Sequence, residues 1–153
     1  MAKRILVPLD KTIEAELVLP LVADVARGSG GTVRLLHVAP SPESVADVNG
    51  RVIAYADQET GRLDAEAKDY LRMAETQLDG IPVECVVRFG NAVEEILAEA
   101  EEFGADLIAL TTRHQGRFTH LVLGSTADQV CRRSDLAVVV YRRGHHAGGC
   151  FER

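Results

Sequence analysis

The stretch Asp106–Thr112 reads DLIALTT, and Leu136–Arg142 reads LAVVVYR. Each is a short, almost unbroken apolar run, which is typical of a strand that is covered on both faces. Three similar runs come earlier in the chain, and helical patterns separate all five: Arg4–Leu9, Thr32–Val38, Val83–Arg88, Asp106–Thr112 and Leu136–Arg142. We therefore predict an α/β fold with an open, parallel, five-stranded sheet and helices on both of its faces.

Four helical segments are predicted between these strands. In the first, Pro20 either begins the helix or kinks it. The third has Asn91 as its N-cap, with Glu94 three residues further on, and the fourth follows Gly124. Ala39–Gly50 is predicted to be a long irregular loop, which in a compact domain is usually functional or mobile.

Charge and composition exclude several classes of function. The net charge is −6, and no predicted helix carries a cluster of lysines and arginines. Nucleic acid is therefore not an expected partner, because binding to phosphates requires a basic face. No stretch approaches a membrane span, and the first apolar run is too short for a signal peptide. The odd number of cysteines (Cys85, Cys131 and Cys150) includes no C-x-x-C pair, so we expect no disulfide and a cytoplasmic location.

Ligands of an open parallel sheet bind beyond the carboxyl ends of its strands, where the strand order reverses. Gly28–Gly31 looks like a phosphate loop, but it joins a helix to the start of a strand and so lies at the amino edge. We interpret it as a turn that ends the first helix. At the carboxyl edge, Asp10 could accept hydrogen bonds from a ribose or an adenine amino group. It could equally cap the next helix or face solvent.

The start of the last helix is a second candidate for ligand binding. The free N–H groups that follow Gly124 can hold a phosphate. Ser125 and Asp128 also form an S-x-x-D capping box, which would satisfy the same N–H groups from within the chain. We expect the cap in either case, so that a phosphate is an optional ligand.

No ordered set of catalytic residues is visible. The sequence lacks G-x-S-x-G, H-E-x-x-H, a complete phosphate loop and G-x-G-x-x-G after the first strand. We therefore predict no catalytic residue. His145, His146 and Cys150 have metal-ligand chemistry, but they lie in a Gly-rich segment, residues 144–153, that we predict to be a flexible tail without a metal site. Cys85 and Cys131 are predicted to be small buried hydrophobes.

Taken in order, several segments resemble the universal stress protein family, over about Lys3 to Arg142. They are Ile5–Asp10, Val33–Val38, Gly90–Leu97, Gly104–Ile108, Leu123–Ala127 and Ala137–Val140. We assign residues 1–143 to a domain of this kind. The resemblance implies an adenine nucleotide alpha hydrolase-like fold with strand order 3-2-1-4-5. It also implies a homodimer that forms through the last strand, Leu136 to Tyr141.

The resemblance further implies a binding or signalling module of the stress response, with ATP or AMP as candidate ligands. The alternative is an enzyme-like member that hydrolyses ATP slowly in the same crevice. Adenine and ribose contacts fall on Asp10 and Val38. The full set of predicted ligand-binding residues is Pro8, Asp10, Val38, Thr111, Arg113, His114, Gly124, Ser125 and Thr126.

The ATP-binding members carry G-x-x-G, nine further residues and then G-[S/T]. Here Gly124 and Ser125 match the second half, whereas Thr111 and His114 replace the two earlier glycines. Both side chains would obstruct the approach of backbone N–H groups to a triphosphate. We therefore predict that ATP binding is weak or absent. Arg113 and its neighbours make this loop basic, which either lets it meet phosphate by charge or leaves it as a solvated loop.

Overall fold

The computed structural model describes residues 3–41, 45–46, 50, 52–54, 56–112 and 125–142. The strands are β1 (Arg4–Pro8), β2 (Thr32–Ala39), β3 (Val45–Ala46), β4 (Val52–Ala54), β5 (Val83–Phe89), β6 (Leu107–Thr112) and β7 (Ala137–Arg142). Five of them form a parallel sheet in the order β5-β2-β1-β6-β7. This confirms the predicted parallel sheet and its 3-2-1-4-5 order. The predicted tail, residues 144–153, lies outside the described residues.

The segment predicted to be an irregular loop contains regular structure that the sequence did not reveal. β3 and β4 pair in antiparallel fashion into a separate two-stranded sheet. The prediction that Ala39–Gly50 is irregular was wrong at β3, whereas β4 lies just beyond that segment. Strands of two and three residues are too short to give a periodic signal, because an alternating pattern needs four residues or more to be recognised.

In the described part of the chain, four α-helices flank the central sheet: α1 (Leu19–Ser29), α2 (Ala56–Glu75), α3 (Ala92–Phe103) and α4 (Ser125–Arg133). A 3-10 helix, Glu14–Val18, leads directly into α1. Pro20 lies in the first turn of α1, so it begins this helix and does not kink it. At the start of α3 the side chain of Asn91 accepts a hydrogen bond of 3.1 Å from the backbone N–H of Glu94, which confirms the predicted cap.

The Gly-rich turn after α1 has the conformation expected of a helix end. Gly30 has a φ of 64° and caps the helix in the left-handed region, where glycine is favoured. A Cβ on the next residue, Gly31, would lie 2.5 Å from the carbonyl oxygen of Lys3. The two glycines therefore serve the chain reversal, which confirms that this turn belongs to the amino edge of the sheet.

The core has two layers, one on each face of the sheet. On β1, Ile5 and Val7 pack toward α1 and α2, whereas Leu6 packs toward α3 and α4. All three side chains are fully buried. Burial of such a side chain stabilises the fold by about 1.5–3 kcal/mol. The strand is apolar at consecutive positions because helices cover both of its faces.

A cluster of ion pairs joins α3 to the outer part of the sheet. Glu99 of α3 is only 3% exposed, and its carboxylate accepts from Arg34 of β2 at 2.7 Å and from Arg88 of β5 at 2.5 Å. The Arg34 guanidinium also lies 4.1 Å from the centroid of the Phe103 ring. Since Glu99 is buried, the two arginines compensate a charge that would otherwise be costly to remove from water.

We expect Glu99→Gln to lower the free energy of unfolding by about 2 kcal/mol, because two arginines lose their charged acceptor. The loss is smaller than for a fully buried ion pair because both arginines are about one-fifth exposed. Urea denaturation measures the change. Glu59→Gln, which alters an exposed pair with Arg62 on α2, is the matched control and should leave the free energy of unfolding nearly unchanged. Equal effects of the two variants would contradict the assignment.

Candidate functional site

A cleft of about 90 Å³ opens beyond the carboxyl ends of the central strands, on the face of the sheet that α3 covers. Its lining residues are Pro8, Leu9, Asp10, Leu36, Val38, Ala92, Ile96 and Leu110. β2, to which the connection after β1 leads, lies on one side of β1, and β6 lies on the other side. The cleft is thus at the point where the strand order reverses, which is where open α/β sheets bind ligands.

Asp10 is the ionisable residue of this lining, and its position is fixed locally. Its Oδ1 accepts hydrogen bonds from the backbone N–H of Thr12 at 3.1 Å and from the Thr12 hydroxyl at 2.5 Å. The Thr12 hydroxyl oxygen accepts in turn from the N–H of Ala15 at 3.2 Å. Between the two, Lys11 has a φ of 68°, an uncommon conformation for a residue with a side chain. Asp10 therefore organises the turn before the 3-10 helix, whose N-cap is Ile13, and also lines the cleft, so its role in the turn and ligand binding are compatible.

Val38 and its neighbours supply the apolar walls. Val38 is half-buried near the end of β2, and it packs on the same core layer as Leu36 and Ile96. Leu110 of β6 forms the opposite wall. A flat aromatic group can be held between such walls by apolar contact, while the single carboxylate at the rim accepts a hydrogen bond.

The remaining predicted residues are placed differently. The hydroxyl of Thr111 donates to the carbonyl oxygen of Ala15 at 3.1 Å, so this side chain faces away from the cleft. Ser125 is exposed and Thr126 is half-buried, both in the first turn of α4. The other three predicted residues, Arg113, His114 and Gly124, lie outside the described residues. Pro8, Asp10 and Val38 are thus the predicted residues that the described part of the chain brings together.

Sequence reasoning missed five lining residues: Leu9, Leu36, Ala92, Ile96 and Leu110. Ile96 lies on the apolar stripe of α3, next to Ala92 in the first turns of the helix, and the three leucines belong to apolar runs that were predicted as strands. Their positions carry no signal of ligand binding, because a cleft wall and a core side chain use the same residue types.

A larger hollow of about 480 Å³ lies between the ends of α3 and α4, near Gly104 and Leu136. It is at the amino edge of the sheet, where the ends of helices meet the starts of strands. Position therefore favours the smaller cleft, since strand order, and not volume, determines where this class of sheet binds ligands.

In the described part of the chain, no helix is long and apolar enough to cross a membrane. The same residues contain no group of three or more histidine, cysteine, aspartate or glutamate side chains that is arranged to hold a metal ion. The predicted tail with His145, His146 and Cys150 lies outside the described residues.

Cys85 of β5 is half-buried, and its thiol lies 3.6 Å from a carboxylate oxygen of Glu75. Burial raises the pKa of Cys85 to about 11, and the negative charge of Glu75 adds to the effect. A thiol reacts through its thiolate, so a raised pKa makes Cys85 unreactive near neutral pH. It behaves as the small hydrophobe that the sequence predicted, although it is not fully buried.

We expect Cys85 to react with iodoacetamide at pH 8 about a hundredfold more slowly than an unperturbed thiol, because its pKa lies well above that pH. The rate is measured in a variant whose other cysteines are replaced by serine. Glu75→Gln removes the neighbouring charge, lowers the pKa and should accelerate the reaction, whereas the exposed Glu66→Gln serves as control. A rate that is unchanged by Glu75→Gln would contradict the electrostatic part of this explanation.

An open parallel sheet of order 3-2-1-4-5, with a cleft at its switch point, defines the adenine nucleotide alpha hydrolase-like class of fold. The profile of the universal stress protein family matches residues 1–142. The chain therefore belongs to the universal stress protein family.

Individual relatives agree with this assignment. Universal stress protein G of Shigella flexneri is 32% identical over 144 residues, which cover 93% of this chain and all of that protein. The structure of MJ0577 from Methanocaldococcus jannaschii superimposes with a TM-score of 0.77 at 28% identity, and covers 94% of this chain and 98% of that one. The universal stress protein from Archaeoglobus fulgidus in complex with dAMP has a TM-score of 0.58 at 21% identity, over 92% of this chain and 97% of its own.

Proposed function

We propose that this chain is a binding or signalling module of the stress response, and that its cleft takes the adenine base and ribose of an AMP-type nucleotide. One observation carries the proposal: the switch-point cleft combines apolar walls with a single fixed carboxylate, Asp10. The structure of a relative from the same family in complex with dAMP supports this class of ligand.

The lining of the cleft suits an adenine nucleoside chemically. The faces of an adenine ring are apolar and pack well between aliphatic side chains such as Val38 and Leu110. Adenine also has an amino group and ribose has hydroxyls, all of which can donate to Asp10. A purely apolar ligand would leave that carboxylate without a hydrogen bond from the ligand and would therefore be disfavoured.

The phosphates should contribute little to affinity. Thr111 and His114 stand where the ATP-binding pattern of the family has glycines. The Thr111 side chain is also engaged with the carbonyl of Ala15. Without glycines, backbone N–H groups approach a triphosphate less closely. We therefore propose that ATP gains no advantage over AMP.

We expect AMP to bind with a dissociation constant similar to that of ATP, measured by isothermal titration calorimetry. Asp10→Asn keeps an oxygen for the Thr12 hydrogen bonds but replaces the other oxygen by a donor, so it should weaken AMP about tenfold or more. Asp24→Asn, an exposed change on α1, is the matched control and should leave affinity unchanged. The absence of heat and of NMR shifts with millimolar AMP would contradict the proposal.

We propose binding and not turnover as the role of the cleft. Asp10 is the only ionisable side chain among the lining residues that the structure describes, so the cleft offers no second group for acid–base catalysis there. The alternative, slow ATP hydrolysis in the same crevice, predicts phosphate release that Asp10→Asn abolishes. Phosphate release from the purified protein, compared with that from this variant, separates the two functions.

We also propose a homodimer that forms through β7. This strand is the last in the order and pairs with β6 along one side. Among the described residues no strand pairs with its other side, and Val138, Val139 and Val140 remain half-buried. An apolar strand at the edge of a sheet favours pairing with another chain, and a two-fold axis would pair β7 with its own copy.

Sedimentation at micromolar concentration is expected to show a dimer. Val139→Lys should convert it to a monomer that keeps the circular dichroism spectrum of the folded chain, because two charges would meet across the paired strands. Leu21→Lys, at a residue of α1 that is 40% exposed, is the matched control and should remain dimeric. A wild-type protein that sediments as a monomer would contradict this proposal without affecting the nucleotide site.

We also propose that the protein resides in the cytoplasm. Cys85 and Cys131 are both free thiols. A reducing compartment keeps such thiols free, and unpaired cysteines are common in proteins that reside there.

A further inference from the structure

His37 lies next to the turn formed by Asp10, Lys11 and Thr12, on the face of the sheet opposite to the cleft. Among the residues that the structure describes it is one of three buried polar or charged residues, with Glu99 and Thr112, and it is only 8% exposed. Its Nδ1 lies 2.7 Å from the carbonyl oxygen of Leu9. A carbonyl can only accept, so Nδ1 carries the proton and donates it. Leu9 directly precedes Asp10 in the chain.

Tyr70 of α2 packs against the other side of His37. The two rings meet edge to face, with centroids 6.3 Å apart and planes at 72°. The Tyr70 hydroxyl is buried and makes no hydrogen bond of good geometry within the described residues, although the Lys11 backbone is near enough to lower its pKa slightly. Burial raises the pKa of Tyr70 to about 12, with further contributions from the charges of Glu16 and Asp10.

A buried hydroxyl without a good partner is unfavourable, and phenylalanine would fill the same space without that cost. The hydroxyl is therefore not explained by packing. It lies close to the Lys11 backbone, whose φ of 68° is itself unfavourable for a residue with a side chain. Both unfavourable features occur at the same turn, which is the turn that carries Asp10.

Two hydrogen bonds of the Leu9 backbone hold the turn in place. The N–H of Leu9 donates to the carbonyl of Leu36 at 2.8 Å, and the carbonyl of Leu9 accepts from His37. These bonds fix the last peptide units before the chain bends through Asp10 and Lys11. Neither His37 nor Tyr70 lines the cleft.

We propose that His37, supported by Tyr70, is a positioning residue for the nucleotide site, because it fixes the Leu9 carbonyl and thereby the Asp10–Lys11 turn that presents Asp10 to the cleft. This inference rests on the proposed function, since the contact between Asp10 and a nucleotide belongs to that proposal. It adds a pair of residues on the far face of the sheet that determine affinity without touching the ligand.

Two variants of His37 separate positioning from packing. The side-chain N–H of asparagine lies at about the same distance from the backbone as Nδ1 of histidine, so His37→Asn keeps the donor to Leu9. His37→Phe keeps the ring and removes the donor. Both should lower stability. We expect AMP affinity to fall about tenfold with His37→Phe and less than threefold with His37→Asn, measured by calorimetry on the full-length chain.

Tyr70→Phe provides an independent test. Removing a buried hydroxyl without a good partner should leave the denaturation midpoint unchanged or raise it. We nevertheless expect AMP affinity to fall a few-fold and the NMR signals of the Lys11 and Thr12 amides to shift, which a purely structural role would not cause. Wild-type affinity in both His37→Phe and Tyr70→Phe would overturn the inference, as would equal losses in His37→Phe and His37→Asn.

The NMR measurement also distinguishes failure of this inference from failure of the proposed function. If the wild-type protein binds no AMP, the proposed ligand is wrong. The Lys11 and Thr12 amide signals in the unliganded variants then decide the positioning role. Shifts in His37→Phe that His37→Asn largely restores would support it, and unchanged signals in His37→Phe would overturn it.

Discussion

The short pairing between β1 and β6 is the constraint on which the site depends. β1 runs beside β2 for its whole length, from Arg4 to Pro8, but it is in register with β6 only at Ile5 and Leu6. Pro8 has no N–H to donate to a neighbouring strand. After it, the N–H of Leu9 bonds to Leu36 of β2, so the chain follows β2 and moves away from β6. The cleft occupies the gap that this divergence leaves.

The two faces of the sheet fill this gap in different ways. On one face, the 3-10 helix crosses the end of β6, and Ala15 accepts the hydrogen bond from Thr111. On the other face, the first turns of α3 bring Ala92 and Ile96 over the gap without closing it. One turn beyond Ile96, Glu99 ties the same helix to β2 and β5 through two arginines. The ion pairs thus fix the distance between this wall of the cleft and the strands.

The sequence predicted the five strands of the central sheet, their parallel arrangement, the cap of α3, the end of α1 and the edge of the sheet that holds the cleft, because each of these has a local signal. Asn91 precedes an amphipathic helix, and Gly30 follows one. The sequence could not predict which face of the sheet the side chains of Thr111 and His37 occupy. Along a strand that is buried on both sides, apolar residues occupy consecutive positions, so no alternation marks the faces. Both side chains lie on the face of the sheet opposite to the cleft. This is evident only from their contacts, Thr111 with Ala15 and His37 with Tyr70, between residues that are distant in the chain.

The distribution of unfavourable features supports a functional origin for the turn. Most of the described fold agrees with its local sequence preferences, as expected for a chain that folds to one structure. The exceptions, Lys11 in the left-handed region and the buried Tyr70 hydroxyl, converge on the segment that carries Asp10. A glycine and a phenylalanine would remove both costs without disturbing the apolar core. Strained conformations persist where the surrounding structure enforces them, and such sites are frequently binding sites. Here the enforcing contacts come from β2 and α2, so the proposed role of Asp10 links the cleft to a packing arrangement on the far side of the sheet.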